Sequence, residues 1–139
     1  SMEPTVEIGD TLLVNTLAYR FSLPDRDDML VFKSNDSANA SLHVKRVIGL
    51  PGEKIQISDG QIMINGITYM EKKDLPSISY AGLAEQEITL KDDEYFVLGD
   101  NRNNSADSRY SDIGNVKKSN IVGKVWFRIS PYTRLGFLH

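Results

Sequence analysis

The sequence predicts a mainly β protein, built as a partly open, barrel-like sheet with short helical turns and a small inserted region. Two observations support this prediction. Apolar and polar residues alternate with a period of two through residues 54–69, and Asp59-Gly60 and Asn65-Gly66 separate the alternating runs, as in β-hairpins. Elsewhere, short apolar runs such as 29–32 and 94–98 are bounded by polar, turn-forming residues, which is typical of buried strands.

The other predicted elements follow from the same patterns. Residues 70–86 have little periodicity and are predicted as an irregular excursion, and residues 99–114 form a polar loop of a length that is more often functional or disordered than incidental. In chain order, the remaining predictions are a turn at 8–10, a strand at 11–17, a charged turn at 24–28, a polar loop at 34–41, a strand at 42–48, a short strand at 87–90, a helical turn at 116–121 and a final strand at 121–129.

Length and composition limit the possible functions. The chain has 139 residues, which suits a single domain, with about 54–93 as a hairpin-rich insertion or second subregion. A net charge of −3 argues against a nucleic-acid partner for this chain. The absence of cysteine excludes disulfides, thiolate catalysis and cysteine-ligated zinc, and two histidines are too few for the usual zinc sites. We therefore expect neither a metal nor another cofactor.

One lysine stands out in the predicted strand 42–48. Lys45 lies between Val44 and Val47, in a run that is otherwise largely apolar. Most lysines in such a position face solvent. A buried lysine without a carboxylate partner would instead have a lowered pKa and could serve as a general base. Lowering the pKa from about 10.4 to about 8 corresponds to roughly 3 kcal/mol of disfavoured charge, which only burial among apolar groups would supply.

Two further clusters carry polar groups that chemistry could use. Ser1 is followed by Pro4-Thr5, and the loop 99–109 combines acidic, basic and hydroxyl side chains. Taken alone, neither cluster is specific. A loop serine is rarely a nucleophile, and the loop could be a solvated turn or a calcium site, although two arginines interrupt its acidic residues.

Taken together, the three clusters resemble the bacterial type I signal peptidases, also called leader peptidases, in the short form typical of Gram-positive bacteria. These are Ser/Lys-dyad serine proteases that remove leader peptides from exported proteins. The resemblance covers nearly the whole chain, and the short 70–86 excursion is similar to the compact second region of that form. The matching motifs, in order, are Ser-Met-Glu-Pro-Thr at 1–5, Gly-Asp-Thr-Leu-Leu-Val at 9–14, Lys-Arg-Val-Ile-Gly-Leu-Pro-Gly-Glu at 45–53 and Gly-Asp-Asn-Arg-Asn-Asn-Ser-Ala-Asp-Ser-Arg at 99–109.

The resemblance implies a role for each matching polar residue. Ser1 would attack the scissile carbonyl, and neutral Lys45 would take its proton and deliver it to the leaving amine. Ser105 would orient Lys45 through a hydrogen bond without adding a charge that would raise the pKa of the amine. The pairs that match structural ion pairs of the family are Arg46 with Asp100 and Asp107 with Arg109.

The substrate-binding residues implied by the resemblance are Met2, Val6, Leu42, His43 and Val44. A leader peptide ending in a small-x-small motif would add as a strand along residues 42–44, with shallow pockets selecting small side chains. His43 is interpreted as a strand-edge residue rather than a base, because the lysine of the motif is present at Lys45.

The resemblance also implies partners and a location. The partners would be signal peptides of secreted preproteins and the membrane, through an N-terminal anchor that precedes the nucleophile in the family and is not in this chain. We expect a soluble fragment of a single-pass cell-membrane protein whose catalytic domain is extracytoplasmic, with an incomplete oxyanion hole at Ser1. A second departure is Asp27-Asp28, where many members have Gly-Asp.

Three alternatives remain open at the level of sequence. One is a self-cleaving repressor-type Ser/Lys peptidase domain, against which the 99–109 loop and the lack of a basic helix argue. Another is an N-terminal-nucleophile hydrolase, in which the amine of Ser1 is the base. The third is a non-catalytic peptide-binding module on an inactive scaffold.

Overall fold

The part of the chain that the structure describes forms two open antiparallel sheets. The computed structural model describes residues 2–5, 11–34, 41–130 and 136–138. Its strands are β1 Thr11–Asn15, β2 Met29–Lys33, β3 Leu42–Gly49, β4 Lys54–Ser58, β5 Gln61–Ile64, β6 Ile67–Thr68, β7 Ile88–Thr89, β8 Glu94–Leu98, β9 Val116–Lys117, β10 Ile121–Ser130 and β11 Gly136–Phe137. Its helices are α1 Ala18–Phe21 and two 3₁₀ turns at Gly82–Glu85 and Lys118–Asn120.

The topology places β3 near the middle of the larger sheet. This seven-stranded sheet has the order β1-β10-β2-β3-β8-β9, with β11 added beside β10. The smaller sheet has the order β6-β5-β4-β7. The sheets are open and do not close into a barrel. The predicted mainly β fold with a partly open sheet is therefore confirmed.

The smaller sheet follows directly from the alternating pattern of the sequence. β4 and β5 pair in register, with Ile57 opposite Ile62, and both side chains are buried. The turn between them has positive φ at Asp59 (52°) and Gly60 (75°). That conformation is the one that two-residue hairpin turns require, which is why an Asp-Gly pair at this position predicts the hairpin.

The apolar residues of β2 divide between two faces of the larger sheet. Leu30 and Phe32 face one core cluster, whereas Met29 and Val31 face another, because successive strand residues point to opposite sides. The remaining buried members of the first cluster are Val47, Tyr95, Val97, Ile113 and Val116, and those of the second are Met2 and Val125. A sheet buried on both faces can shield polar side chains from water on either side.

The structure differs from the sequence prediction at three places. The strand predicted at 11–17 ends at Asn15, whose side-chain oxygen accepts a hydrogen bond from the Leu17 amide at 2.9 Å, and α1 follows. The helical turn predicted at 116–121 is present as a 3₁₀ turn over Lys118–Asn120, but Val116–Lys117 form β9, which pairs with the distant β8. Strand β11 was not predicted at all. The predicted turn at 8–10 and most of the loop at 34–41 lie outside the described residues.

The turn before β2 contains the Asp-Asp departure from the family motif. Asp27 has a φ of 73°, in the left-handed region that favours glycine. Its amide donates to the Val47 carbonyl at 2.8 Å, and its carboxylate accepts from the Tyr69 hydroxyl at 2.7 Å. Asp tolerates the left-handed region better than most residues, and these contacts hold it there.

Candidate active site

The candidate site is built on two adjacent residues of β3. Lys45 lies opposite Leu30 and Arg46 opposite Met29 in the pairing with β2. Neighbouring residues of a strand point to opposite faces, so the two cations enter different environments. Each residue is only 3% exposed. Two fully buried cations in sequence are unusual, because removing either from water is costly.

Lys45 has a neutral partner. Its Nζ donates a hydrogen bond to Ser105 Oγ at 3.1 Å. Burial lowers the pKa of the Lys45 ammonium; attraction to Asp107 opposes this shift, and repulsion from Arg109 adds to it. Among the residues that the structure describes, no carboxylate forms an ion pair with Lys45. The environment therefore favours the neutral amine.

Ser105 belongs to a loop that is fixed at its far end to β8. The Ser108 hydroxyl accepts from the Val97 amide at 2.9 Å, and the Ser108 amide donates to the Val97 carbonyl at 3.1 Å. Ser105 and Ser108 are both buried. These bonds bring the loop back over the strand that neighbours β3, where Ser105 reaches Lys45.

The charged groups of the same loop neutralise one another. Arg109 donates to both oxygens of Asp107 at 2.8 Å, and both side chains are buried. The Gly99 amide also donates to Asp107, at 3.0 Å. Because Arg109 and Asp107 act on Lys45 in opposite directions, their ion pair limits the effect of the nearby carboxylate on the lysine.

On the opposite face of β3, Arg46 meets a carboxylate. Its Nε and Nη2 donate to the two oxygens of Asp100 at 2.8 and 2.7 Å. Burial acts to raise the pKa of the Asp100 carboxyl, but the hydrogen bonds and charge of Arg46, with the Thr5 hydroxyl, hold that pKa below its ordinary value. The predicted pairs Arg46–Asp100 and Asp107–Arg109 are thus both in contact.

Asp100 also contacts the segment that follows Ser1. The Thr5 hydroxyl donates to Asp100 at 2.5 Å, and the Asp100 amide donates to the Met2 sulfur at 3.4 Å. Met2 is 4% exposed and packs in the cluster that contains Met29. Ser1 and Val6 lie outside the described residues. The structure therefore fixes residues 2–5 beside the arginine–aspartate pair, one residue from the predicted nucleophile.

The first residues of β3 offer a strand edge beside Lys45. Residues 42–46 pair with β2, whereas pairing with β8 begins only at Arg46. No described strand pairs with 42–44 on the β8 side. Leu42 is 61% exposed, and Val44 is half-buried against the cluster of Met2.

His43 lies on the same face of β3 as Lys45. Its ring stacks on Phe32 with 5.5 Å between centroids, and its Nε2 is 3.1 Å from the Ser41 hydroxyl. Burial, with a smaller contribution from Lys45, lowers the pKa of the imidazole. The interpretation of His43 as a strand-edge residue and not a base stays a prediction.

Sequence reasoning missed one ion pair at this site. Arg102 is buried and donates from both terminal nitrogens to the Glu71 carboxylate, at 2.8 and 2.6 Å. Arg102 belongs to the motif at 99–109, so the sequence did indicate that this arginine lies at the site. Nothing in the irregular 70–86 segment indicates that Glu71 is its partner, because the two are 31 residues apart.

The described residues contain neither a candidate metal site nor a candidate membrane-spanning helix. No group of three or more histidine, cysteine, aspartate or glutamate side chains within the described ranges is arranged to hold a metal ion. Over the same ranges, none of the helices has the length and apolar character needed to cross a bilayer.

Comparison with known proteins agrees with these features. The family model described as signal peptidase, peptidase S26, matches residues 1–130. Signal peptidase I V of Bacillus subtilis is 40% identical, covering 90% of this chain and 78% of the relative. A probable signal peptidase I-2 of Synechocystis is 38% identical over 99% of this chain, which spans 63% of that relative's length.

A solved structure supports the same assignment. The crystal structure of a signal peptidase I from Enterococcus faecalis is 34% identical to this chain, with a TM-score of 0.59. The match covers 73% of this chain and 95% of the other. The profile match, the relatives and the shared fold together confirm the resemblance seen in the sequence: the chain belongs to the signal peptidase family, peptidase S26, a family of endopeptidases that act on the signal peptides of preproteins.

Proposed function

We propose that this chain is the single catalytic domain of a serine endopeptidase that removes signal peptides from exported preproteins after a small-x-small motif. One observation carries the proposal: Lys45 is 3% exposed and donates to a serine hydroxyl instead of a carboxylate. A lysine buried in this way is neutral at a lower pH than an exposed one. It can therefore accept a proton from a nucleophile at a lower pH than an exposed lysine could.

In the proposed reaction, Ser1 Oγ attacks the scissile carbonyl while Lys45 Nζ takes its proton. The resulting lysine ammonium then gives that proton to the amine of the departing mature protein. Water hydrolyses the acyl-enzyme with Lys45 acting again as the base. A neutral lysine has two N–H bonds and one lone pair, so donation of one N–H to Ser105 leaves the lone pair to be aimed at Ser1.

The strand edge at residues 42–44 supports binding of the leader as an added strand. Backbone hydrogen bonds to this edge would hold any extended peptide, and side-chain pockets would select its sequence. Val44 faces the apolar cluster of Met2 and Met29, which would form a wall for small apolar side chains. His43 lies on the other face, and we propose that Leu42 and Val6 complete the binding region.

The proposal extends to partners and location. The partners would be signal peptides of secreted preproteins and a membrane, to which an N-terminal anchor would attach the domain. The domain would act on the extracytoplasmic side of a cell membrane. We also propose that residues of about 54–93, which include the strands of the smaller sheet, are a hairpin-rich second subregion of the domain.

Cleavage of a preprotein tests the proposal. The chain, incubated with a preprotein whose leader ends in Ala-X-Ala, should release the mature protein with cleavage after the last alanine. A preprotein with phenylalanine at that last position should be left intact, because a shallow pocket excludes the larger ring. Ser1→Ala should abolish cleavage while binding is retained.

Three other results would contradict the proposal. Cleavage only of the chain's own parent protein would favour the self-cleaving repressor-type peptidase. Activity that survives Lys45→Ala would favour the amine of Ser1 as the base. Equal binding of the leader by wild type and Ser1→Ala, with no turnover by either, would favour a non-catalytic peptide-binding module.

A further inference from the structure

The irregular segment 71–83 holds the loop that carries Ser105. Glu71 accepts two hydrogen bonds from Arg102, whose side chain is 1% exposed, and Arg102 Nε donates to the Gly99 carbonyl at 2.9 Å. The guanidinium is thereby tied to the start of the loop and to Glu71 at once. Bidentate pairing fixes its orientation as well as its position.

Further contacts join the same two segments along their length. Ser79 donates to the Asn103 side chain at 2.9 Å from its amide, and the Leu83 amide donates to the Arg109 carbonyl at 2.8 Å. Gly82, with a φ of 56°, lies so close to Arg109 that a Cβ would be 2.3 Å from its carbonyl oxygen. The segment therefore follows the loop from Arg102 to Arg109, with Ser105 between these ends.

The same segment also reaches the residues that follow Ser1. Lys73 Nζ donates to the Thr5 hydroxyl at 3.2 Å, and Thr5 donates to Asp100. Lys73 is exposed, so this contact is weaker than the buried pair of Glu71 with Arg102. Glu71 thus contacts the loop that carries Ser105, and Lys73 contacts the segment that follows Ser1. Ser105 and Ser1 are the two residues that meet Lys45 in the proposed reaction.

We propose that Glu71 is a positioning residue for the reaction, which acts through Arg102 to hold Ser105 against Lys45, with Lys73 as a weaker second contact on the nucleophile segment. This inference rests on the proposed function and adds a role for the second subregion. Residues 99–109 contain no helix or strand. The place of Ser105 is therefore set by contacts of the loop with other segments, which include the Glu71–Arg102 pair as well as the Ser108–Val97 bonds.

Loss of the Glu71 charge should change the chemistry at Lys45. Arg102 would be left buried without its carboxylate, and the loop would shift to hydrate it. A displacement of about 1 Å at a catalytic group can cost about 10²-fold in rate. The charged groups that act on Lys45 are Asp107 and Arg109 on the loop, and the titratable His43 faces it from its own strand, where burial and Lys45 lower the pKa of the imidazole. Asp107 and Arg109 would move together, so their opposite effects on Lys45 should largely cancel. The entry of water around Lys45 should then be the larger effect, and it should raise the pKa of the lysine.

Glu71→Gln tests this role against Glu87→Gln, an exposed glutamate of the same subregion. We expect Glu71→Gln to lower kcat about 10- to 100-fold, with KM changed less than about twofold. The Lys45 ammonium, followed by NMR in ¹⁵N-lysine-labelled protein, should titrate at a higher pH. Lys73→Met should have a smaller effect in the same direction, and its exposed neighbour Lys72→Met none.

The outcomes separate positioning from stability and from the proposed function. A lower melting temperature with unchanged kcat and unchanged Lys45 titration would overturn the inference and leave Glu71 a purely structural residue. If Glu71→Gln does not fold, Glu71→Asp keeps the charge but is one methylene shorter, and the same pair of readouts applies. If the wild type cleaves no leader, the proposed function fails, whereas the NMR titration still supports or contradicts the coupling of Glu71 to Lys45.

Discussion

Lys45 and Arg46 are neighbours on one strand, equally buried, and yet they have opposite environments. Arg46 meets the two oxygens of Asp100 at 2.7 and 2.8 Å, whereas Lys45 meets the neutral hydroxyl of Ser105 at 3.1 Å. Both cations are removed from water, but only one is compensated by a carboxylate. Burial alone therefore does not mark a reactive group; burial without a charged partner does.

The choice of residue type fits each environment. An arginine keeps its charge in proteins, and its planar group matches a carboxylate at two points, which suits a structural pair. A lysine loses its proton more readily when buried, which suits a base. Asp107 could have compensated Lys45, but Arg109 occupies both of its oxygens. The arginines of this site hold the carboxylates and so keep them from pairing with the lysine.

Replacing each cation by methionine should separate the two environments most clearly. Lys45→Met should lower kcat/KM by about 10²–10⁴-fold, because the proposed base is lost. The free energy of unfolding should stay the same or rise, because a buried cation without a carboxylate is replaced by an apolar side chain of similar length. Peptide cleavage and urea denaturation measure the two quantities. A Lys45→Met variant that keeps its activity would remove the lysine from the mechanism.

Arg46→Met should mainly lower the stability of the fold, whereas Lys45→Met should mainly lower the activity. It leaves the Asp100 carboxylate, which is 0% exposed, without a paired cation and with only the neutral Thr5 hydroxyl as a side-chain donor among the described contacts, and we expect a loss of about 3–5 kcal/mol in the free energy of unfolding. Replacing both partners, as in Arg46→Met with Asp100→Leu, should restore most of that loss. Urea denaturation of the two single variants and the double variant provides the check. Equal destabilisation by Lys45→Met and Arg46→Met would show that the two environments do not differ as described.

The sequence predicted those parts of the molecule that depend on local patterns. The hairpin at β4–β5 was predicted from alternation and an Asp-Gly turn, and β8 was predicted from its apolar run. The unusual place of Lys45 was also visible, because a charge within an apolar strand breaks the pattern. Each of these signals lies within a few residues of the feature that it predicts.

Features that depend on distant contacts were not predicted. Glu71 lies in a segment without periodicity, and only the folded chain brings it to Arg102. Strand β9 forms because it pairs with β8, and its two residues carry no strand signal of their own. Whether Lys45 is buried likewise depends on the return of the 99–109 loop over the sheet, which a single strand cannot reveal.

Giving Lys45 a carboxylate partner tests directly whether the lack of one keeps the lysine neutral, because it makes the environment of Lys45 like that of Arg46. In Ser105→Asp, a carboxylate would replace the hydroxyl and should raise the pKa of Lys45, because an opposite charge nearby favours the ammonium. The base must be neutral to act, so the rate of the wild type should rise with pH through a midpoint below the ordinary lysine value of about 10.4. In Ser105→Asp that midpoint should move upward, and below it the rate should fall about tenfold per pH unit.

Ser105→Asn is the control, because asparagine has the same size as aspartate without the charge. Its midpoint should stay near that of the wild type even though the rate falls. If aspartate and asparagine gave the same midpoint in peptide-cleavage profiles, the absence of a carboxylate beside Lys45 would not be what keeps the lysine neutral.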